Sequence, residues 1–518
     1  MKTEKLMFQK YCLLFIIIIY IILNLVTLTR FPLMHSDESW LSGLSRHMLV
    51  TGDFSVTEPF FDLITRNQHA LKTFFHTLQL LMIKTFGYTL FNIRLLSLLF
   101  GLVSLYYFYR LCLLMFPGKK LALWACLLMG VDIQFLYASH FGRQEIMLVW
   151  ILVFGLYYYF KNITSRLYRH DIFLGFITGV SIGIHPNFLI IFLVFSGIYL
   201  IHFFEKKKQF TSFLIFSLTF AGLILFFITL SYRFDPNFLF NYLSYGQKQF
   251  KIFNPFSTKL FRLASYAKSI YLRQGGTYYL PDLKVQLLLL NALFLLSQTI
   301  PCRKTNIDRK SIPFWLIISV TSIIIGLLLI GRYNTTYIAF FIPFIYLLVG
   351  FCLTVLPDKF QKVAPVFLFL SLLFLTIHNV YPFLKYDYQS YLNKVTMAVE
   401  PNRKVLASLN VEYAFNDSCL FDLRNLSFLK QRGLTFAEYL RKNRIEYIIY
   451  PEGLDFIYQN RPKWNGVYGH LPYYIEMRHF IQEHCRLVSS FEDPAYGIEI
   501  PTYVGKKNWR ILIYKVLY

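Results

Sequence analysis

The chain has 518 residues, 56% of them hydrophobic and 15% charged, with a net charge of +24 and a mean hydropathy of +0.47. That composition excludes an ordinary soluble globular protein and points to a membrane as solvent. It also removes the usual reading of a strongly basic chain as a nucleic-acid binder. Much of the charge sits in short loops between apolar runs, where it is a topology signal and an attraction to anionic lipid.

The first apolar run, Tyr11 to Thr29, follows Lys2, Lys5 and Lys10 and lacks a small-residue cleavage site, so it reads as an uncleaved anchor. Further spans are expected at 92–116, 121–138, 143–160, 171–184, 187–204, 210–231, 284–300, 312–331, 336–356 and 363–381. The expected fold class is therefore a polytopic α-helical membrane protein with about eleven transmembrane helices and a C-terminal α/β domain. With the N-terminus in the cytoplasm and one crossing per run, the cytoplasmic segments hold 17 Lys/Arg in 46 residues, against 13 in the much longer outer loops. The positive-inside rule selects that orientation and puts the C-terminal domain outside. The expected location is the plasma or inner membrane.

The expected division is a transmembrane catalytic domain, 1–384, with long outer loops 30–91 and 232–283, and a soluble extracytoplasmic domain, 385–518. Loops of that length in a membrane fold usually carry function. The first contains a short helix around Glu38–Val50 and an amphipathic or re-entrant one around Leu71–Phe86. In the tail, strands are expected at Val405–Leu409, Ile445–Tyr450 and Trp509–Val516, and helices at Thr435–Asn443 and Tyr473–Cys485. The seven cysteines form no CxxC pair, which suggests neither zinc nor redox chemistry; Cys12, Cys112, Cys126 and Cys352 read as packing residues. In an oxidising space Cys419 and Cys485 could form a disulfide, but spacing does not fix their distance, and two free thiols are the alternative.

Four polar clusters interrupt the apolar pattern. His35-Ser36-Asp37-Glu38 follows the first span, Arg143-Gln144-Glu145 opens the fourth, His185-Pro186-Asn187 occupies a sharp turn, and Arg332-Tyr333 lies at another. All fall at outer helix ends. An acid pair there either complements a helix N-terminus or supplies a general base or metal ligand. Arginine suits phosphate. None lies deep in a span, where an ion pathway would need it.

The stretch from Phe31 to about Phe160 resembles the GT-C superfamily of integral-membrane glycosyltransferases, in the branch of the protein O-mannosyltransferases and lipid A aminoarabinose transferases. The resemblance is carried by Asp37-Glu38, Thr51-Gly52-Asp53, Phe86-Gly87 and Arg94-Leu95 in order, then Arg143 with Glu145, and Arg332-Tyr333 before Pro343. Two positions depart from the pattern: Gln68-His69-Ala70 stands where the family often has Lys-Pro-Pro, and Glu145 where many members have Asp.

The resemblance implies a hexosyl- or pentosyltransferase that moves a sugar from a polyprenyl-phosphate donor to a hydroxyl acceptor on the outer face. Asp37 is then the base of an inverting displacement, Glu38 and Glu145 complete the acidic set, and Arg143, His185, Arg332 and Tyr333 are the candidate donor-phosphate contacts. It leaves open whether Mg²⁺ or Mn²⁺ is held by Asp37 and Glu145. The expected partners are the lipid-linked donor, a hydroxyl acceptor and membrane lipid, with no nucleic acid. The rival class is a secondary transporter or lipid flippase, which would show midplane charges, broken helices and inverted repeats.

Overall fold

The computed structural model describes residues 18, 20–64, 66–116, 118–250, 252–274, 277–299, 313–331, 333–460, 471–497 and 503–518. The basic leader and the first part of the expected first span, 11–17 and 19, lie outside them. Beyond the helical segment 20–27, the chain forms α1 (Ser36–Thr51), α2 (Thr73–Phe86), α3 (Leu90–Met115), α4 (Lys119–Gly130), α5 (Ile133–His140), α6 (Glu145–Lys161), α7 (Arg169–Val180), α8 (Phe188–Phe204) and α9 (Phe210–Phe234). There follow α10 (Phe238–Phe250), α11 (Phe256–Tyr271), α12 (Lys284–Thr299), α13 (Phe314–Ile330), α14 (Ile342–Val355), α15 (Asp358–Val380) and α16 (Tyr388–Ala398).

This is a multi-pass membrane protein. Among the described residues, four runs are long and apolar enough to cross a bilayer: Leu90–Met115, Phe210–Phe234, Thr335–Val355 and Asp358–Thr396. The α4–α5 pair makes a fifth if counted as one span. The expected figure of eleven depends on including shorter apolar helices such as Phe188–Phe204, Lys284–Thr299 and Phe314–Ile330. Helices α9 and α15 leave Leu218, Leu225, Phe367 and Phe374 exposed, as a lipid-facing surface requires. Helix α6 is buried along nearly all its length, from Glu145 to Tyr159. A helix that is apolar all round belongs at the centre of its bundle, so the polar triplet that opens α6 is held at a central helix end.

The straight span expected at 121–138 is instead broken, with α4 and α5 meeting at 63°. The cause is Asp132, whose side chain caps α5 by accepting from the Gln134 and Phe135 N–H groups (2.7 and 3.0 Å). Its other oxygen accepts from Tyr346 Oη (2.7 Å) and Gln286 Nε2 (2.5 Å). With four donors satisfied, this buried acid is a structural joint. The long loop 232–283 carries α10 and α11.

Five strands follow: β1 (Val405–Ala407), β2 (Leu420–Asp422), β3 (Tyr447–Pro451), β4 (Cys485–Asp493) and β5 (Trp509–Val516). Their order is β2-β1-β3-β5-β4. The first three are parallel; β5 runs antiparallel to β3, and β4 antiparallel to β5. The expected strands and helices of the tail are present, while β2, β4 and α16 were not legible in the sequence. Cys419, just before β2, and Cys485, at the start of β4, are free thiols at opposite edges of the sheet. Strands spaced about 4.8 Å apart put those edges far beyond disulfide reach.

The loop 30–91 folds into this domain. Met34, Phe60 and Phe61 share a core with Tyr388, Val405, Ile449 and Ile513. The Phe60 carbonyl accepts from Asp422 N (3.0 Å) and Asn425 Nδ2 (2.7 Å). On α1, Arg46 donates to Glu412 Oε1 (2.5 Å) and to the Phe415 carbonyl (2.7 Å), and His47 Nδ1 lies 2.7 Å from Asp417 Oδ2. Because Arg46 and Glu412 are both buried, Arg46→Ala strands a carboxylate. It should destabilise the docking of α1 by about 3–5 kcal/mol. Limited proteolysis and thermal unfolding of the membrane-inserted protein should both register the loss, whereas removing the exposed Arg403–Glu400 pair should change little.

Candidate active site

The site is organised by the residue before α1. His35 is extended and caps the helix reciprocally: its Nδ1 accepts from the Asp37 N–H (3.0 Å), and its own N–H donates to Glu38 Oε2 (3.0 Å). Two consecutive helical residues point about 100° apart, so the acid pair divides. The Glu38 side chain is fully buried and accepts from Arg94 Nε and Nη2 (both 2.7 Å) and from the Gly142 N–H (2.8 Å). Arg94 Nη1 donates to the Leu28 and Pro32 carbonyls (both 2.8 Å). Gly142 is needed there, since a Cβ would lie 2.8 Å from Ile93 Cγ2 and 3.1 Å from Glu38 Oε1. Glu38, expected among the catalytic acids, is thus a structural carboxylate whose lone pairs are committed to four donors.

Asp37 turns the other way. Its Oδ2 accepts from both Arg143 Nη1 and Tyr278 Oη. Arg143 Nη1 also reaches Tyr278 Oη (2.6 Å), and its Nη2 lies 2.9 Å from Glu145 Oε1, which accepts from Thr336 Oγ1 (2.9 Å). The order of the cluster is therefore Asp37, Arg143, Glu145, with the guanidinium between the acids. Accessibility separates them: the Asp37 side chain is 20% exposed, against 5% for Arg143 and 3% for Glu145. Four buried atoms of the same triplet, Arg143 Nε, Gln144 Nε2 and Oε1, and Glu145 Oε2, find no hydrogen-bond partner among the described residues. Groups left so cost about 1–3 kcal/mol each, so water or a polar ligand is needed beside them.

The loop before α12 covers this cluster. Tyr278 stacks on the His35 ring at 4.5 Å, and Thr277 Oγ1 lies 2.8 Å from His35 Nε2. A narrow cleft opens alongside, lined by His35, Ser36, Phe141, Thr277 and Tyr496 among others. Tyr278, Thr277 and Thr336 were not singled out in the sequence, for they sit in segments without local pattern and join the site only through the fold.

The other predicted site residues are placed differently. His185 closes the turn before α8, its Nδ1 accepting the Asn187 N–H (3.1 Å). Tyr333 is directed to α11: its hydroxyl donates to the Lys259 carbonyl (2.8 Å), and its ring faces Tyr266 and Arg262. Arg332 lies outside the described residues. Nor do Asp37 and Glu145 fit a shared Mg²⁺ or Mn²⁺, since a guanidinium donates to both. Among the described residues, no three His, Cys, Asp or Glu side chains converge as metal ligands would.

Residues 73–232 match the family model described as dolichyl-phosphate-mannose-protein mannosyltransferase. Among solved structures, the chain is similar to ArnT from Cupriavidus metallidurans in the apo state, at 12% identity and a TM-score of 0.60, with 98% of each chain covered. The fold is that of the GT-C glycosyltransferases. The same ArnT bound to undecaprenyl phosphate matches at 12% identity and a TM-score of 0.59, again over 98% of each chain. An Archaeoglobus fulgidus oligosaccharyltransferase tethered with an acceptor peptide matches at 12% identity and 0.50, covering 87% of this chain and 70% of that one. No curated protein sequence matches the chain. Within the GT-C fold, the motif glycines gain a physical role: Gly52 (φ +70°) and Gly87 (φ +90°) terminate α1 and α2.

Two outcomes follow from this geometry. Glu38→Gln leaves Arg94 buried without its counter-ion and should cost about 3–5 kcal/mol, seen as a loss of folded, membrane-inserted protein rather than as a purely kinetic defect. Burial lowers the His35 pKa below the usual imidazole value, with Asp37 opposing. A base depressed in the folded state contributes stability above its unfolded pKa and loses it as pH falls. Protonating Nδ1 also ends its acceptor role toward the Asp37 N–H. Activity and thermal stability should therefore fall on acidification below the usual imidazole range, and His35→Gln should flatten that profile.

Proposed function

We propose that this protein transfers a sugar from a polyprenyl-phosphate donor to a hydroxyl acceptor at the extracytoplasmic membrane surface, with inversion and with Asp37 as general base. The observation that carries the reading is the position of Asp37. It is the most accessible of the three clustered carboxylates, it follows directly on His35 and Ser36, which line a cleft, and it stands beside buried polar atoms without a partner among the described residues. The family model and the GT-C fold supply the reaction class, and the ArnT neighbour bound to undecaprenyl phosphate supports the class of donor.

In the proposed reaction the acceptor oxygen attacks the anomeric carbon, the carbon–oxygen bond to phosphate breaks, and polyprenyl phosphate leaves with the bonding pair. Asp37 takes the hydroxyl proton as the new glycosidic bond forms. One displacement on the face opposite the leaving group inverts the centre. Arg143 and Tyr278 fix the Asp37 carboxylate by donating to one of its oxygens. Glu145 holds Arg143 in place, and Arg143 offers charge to the departing phosphate. His185, Arg332 and Tyr333 are proposed to bind the donor head group. The Lys/Arg asymmetry of the loops supports the outward placement of the site. A transporter would use a membrane-buried acid as a substrate site, but the one at the broken helix, Asp132, is already saturated by four donors.

The test is sugar transfer by purified protein supplied with polyprenyl-phosphate sugars, read as release of polyprenyl phosphate. Asp37→Asn should lower turnover by about 10²–10⁴-fold with unchanged folding and donor binding. Glu145→Gln should be similarly severe through loss of Arg143 positioning. Near-normal turnover of folded Asp37→Asn protein removes Asp37 as base.

A further inference from the structure

The sequence between Asp235 and Asp282 contains no acid but six bases: Lys248, Lys251, Lys259, Arg262, Lys268 and Arg273. It holds α10 and α11, of 13 and 16 residues. At about 20 and 24 Å they are too short to span an apolar core of about 30 Å. Both are attached at the ends of apolar helices. Helix α10 begins four residues after α9 ends. The start of α11 sits against the last turn of α13: Lys259 Nζ donates to the Leu329 carbonyl (3.2 Å), and the Lys259 carbonyl accepts from Tyr333 Oη (2.8 Å). The pair therefore lies where two lipid-facing helices end, at the depth of the headgroups.

Both helices turn large apolar side chains outward. On α11, Phe256, Leu260, Ala264, Ala267 and Tyr271 recur at helical spacing, and all five are exposed. On α10, Leu239, Phe240 and Leu243 form the corresponding exposed stripe. These stripes extend the lipid-facing surface of α9 and α13, where Leu225 and Leu329 are exposed. Lys248 and Lys268 are exposed on the same two helices. An outward apolar stripe accompanied by bases, with no acid in the segment to neutralise them, is the pattern of a helix lying in a membrane interface. Zwitterionic lipid would satisfy the stripe but not the charge; negative headgroups satisfy both. Helix α11 also leads into the segment that covers the active site. Arg273, two residues beyond its end, donates from Nε to the Leu280 carbonyl (3.1 Å). That bond brackets the stretch that carries Thr277 to His35 and Tyr278 to Asp37.

We infer that α10 and α11 lie in the membrane interface and bind anionic phospholipid, mooring the covering segment to the bilayer. The inference does not rest on the glycosyltransfer reading, and its readout is not activity. The test uses the full chain in phosphatidylcholine nanodiscs containing a minor fraction of phosphatidylglycerol. Leu260→Trp places a fluorophore on the exposed stripe, and Leu218→Trp on α9 serves as the reference for ordinary lipid contact. Quenching beyond the wild-type background is measured with acyl-brominated phosphatidylglycerol or acyl-brominated phosphatidylcholine at equal mole fraction. Both lipids should quench Leu260→Trp, the anionic one more strongly by about twofold or more. Leu218→Trp should show no such preference. Adding Lys248→Gln and Lys268→Gln to Leu260→Trp should bring the two lipids level while quenching by phosphatidylcholine persists, which shows that the helix is still seated. Quenching of Leu218→Trp without quenching of Leu260→Trp means that water or a protein partner covers the stripe, and overturns the inference. So does equal quenching of Leu260→Trp by the two lipids, or a preference for the anionic lipid that survives loss of both lysines.

Discussion

The buried Glu38–Arg94 pair is the constraint on which the site depends. Taking two charges out of water costs several kcal/mol per ion, recovered only where geometry and hydrogen bonding are complete. Here they are complete. The carboxylate accepts from two guanidinium nitrogens and two backbone N–H groups, and the third guanidinium nitrogen holds two carbonyls. Those bonds tie four segments together: the chain after the first span, the start of α1, the body of α3 and the turn at 141–142. Asp37 is the neighbour of the clamped residue, so its direction is set by the pair without its own carboxylate being consumed in holding the fold.

The second element is α6. A helix buried on every side cannot shift without disturbing the bundle, and its first turn therefore gives Arg143 and Glu145 a rigid mount. The loop carrying Tyr278 reaches across from another part of the chain and stacks on His35. The active-site geometry thus combines two rigid helix ends with one long covering segment, in keeping with the placement of functional residues on loops over a stable scaffold.

The C-terminal domain is more than a lid. It shares its core with the first outer loop, accepts Arg46 and His47 from α1, and supplies Tyr413 beside Ser42. Movement of that domain would be felt at the helix that begins with Asp37. The coupling is physical contact through one short helix, and it explains why the loop 30–91 is long: it must leave the membrane, pack against the sheet and return.

The sequence by itself determined the membrane class, the helical runs and the positions of the polar interruptions, because apolar length and the placement of charge are local properties of the chain. It also marked Asp37, Arg143 and Glu145 as one group, since all three were expected at helix ends on one side of the membrane. Only the tertiary structure separated Asp37 from Glu38, as adjacent acids look alike until a partner 56 residues away claims one of them. It alone brought in Tyr278 and Thr336, whose contacts span 241 and 191 residues, and it alone parted Cys419 from Cys485. The bend at Asp132, the docking of the first outer loop and the edge strands of the sheet were hidden for the same reason. Each is decided by which distant groups satisfy a backbone or a charge, and no local pattern encodes that choice.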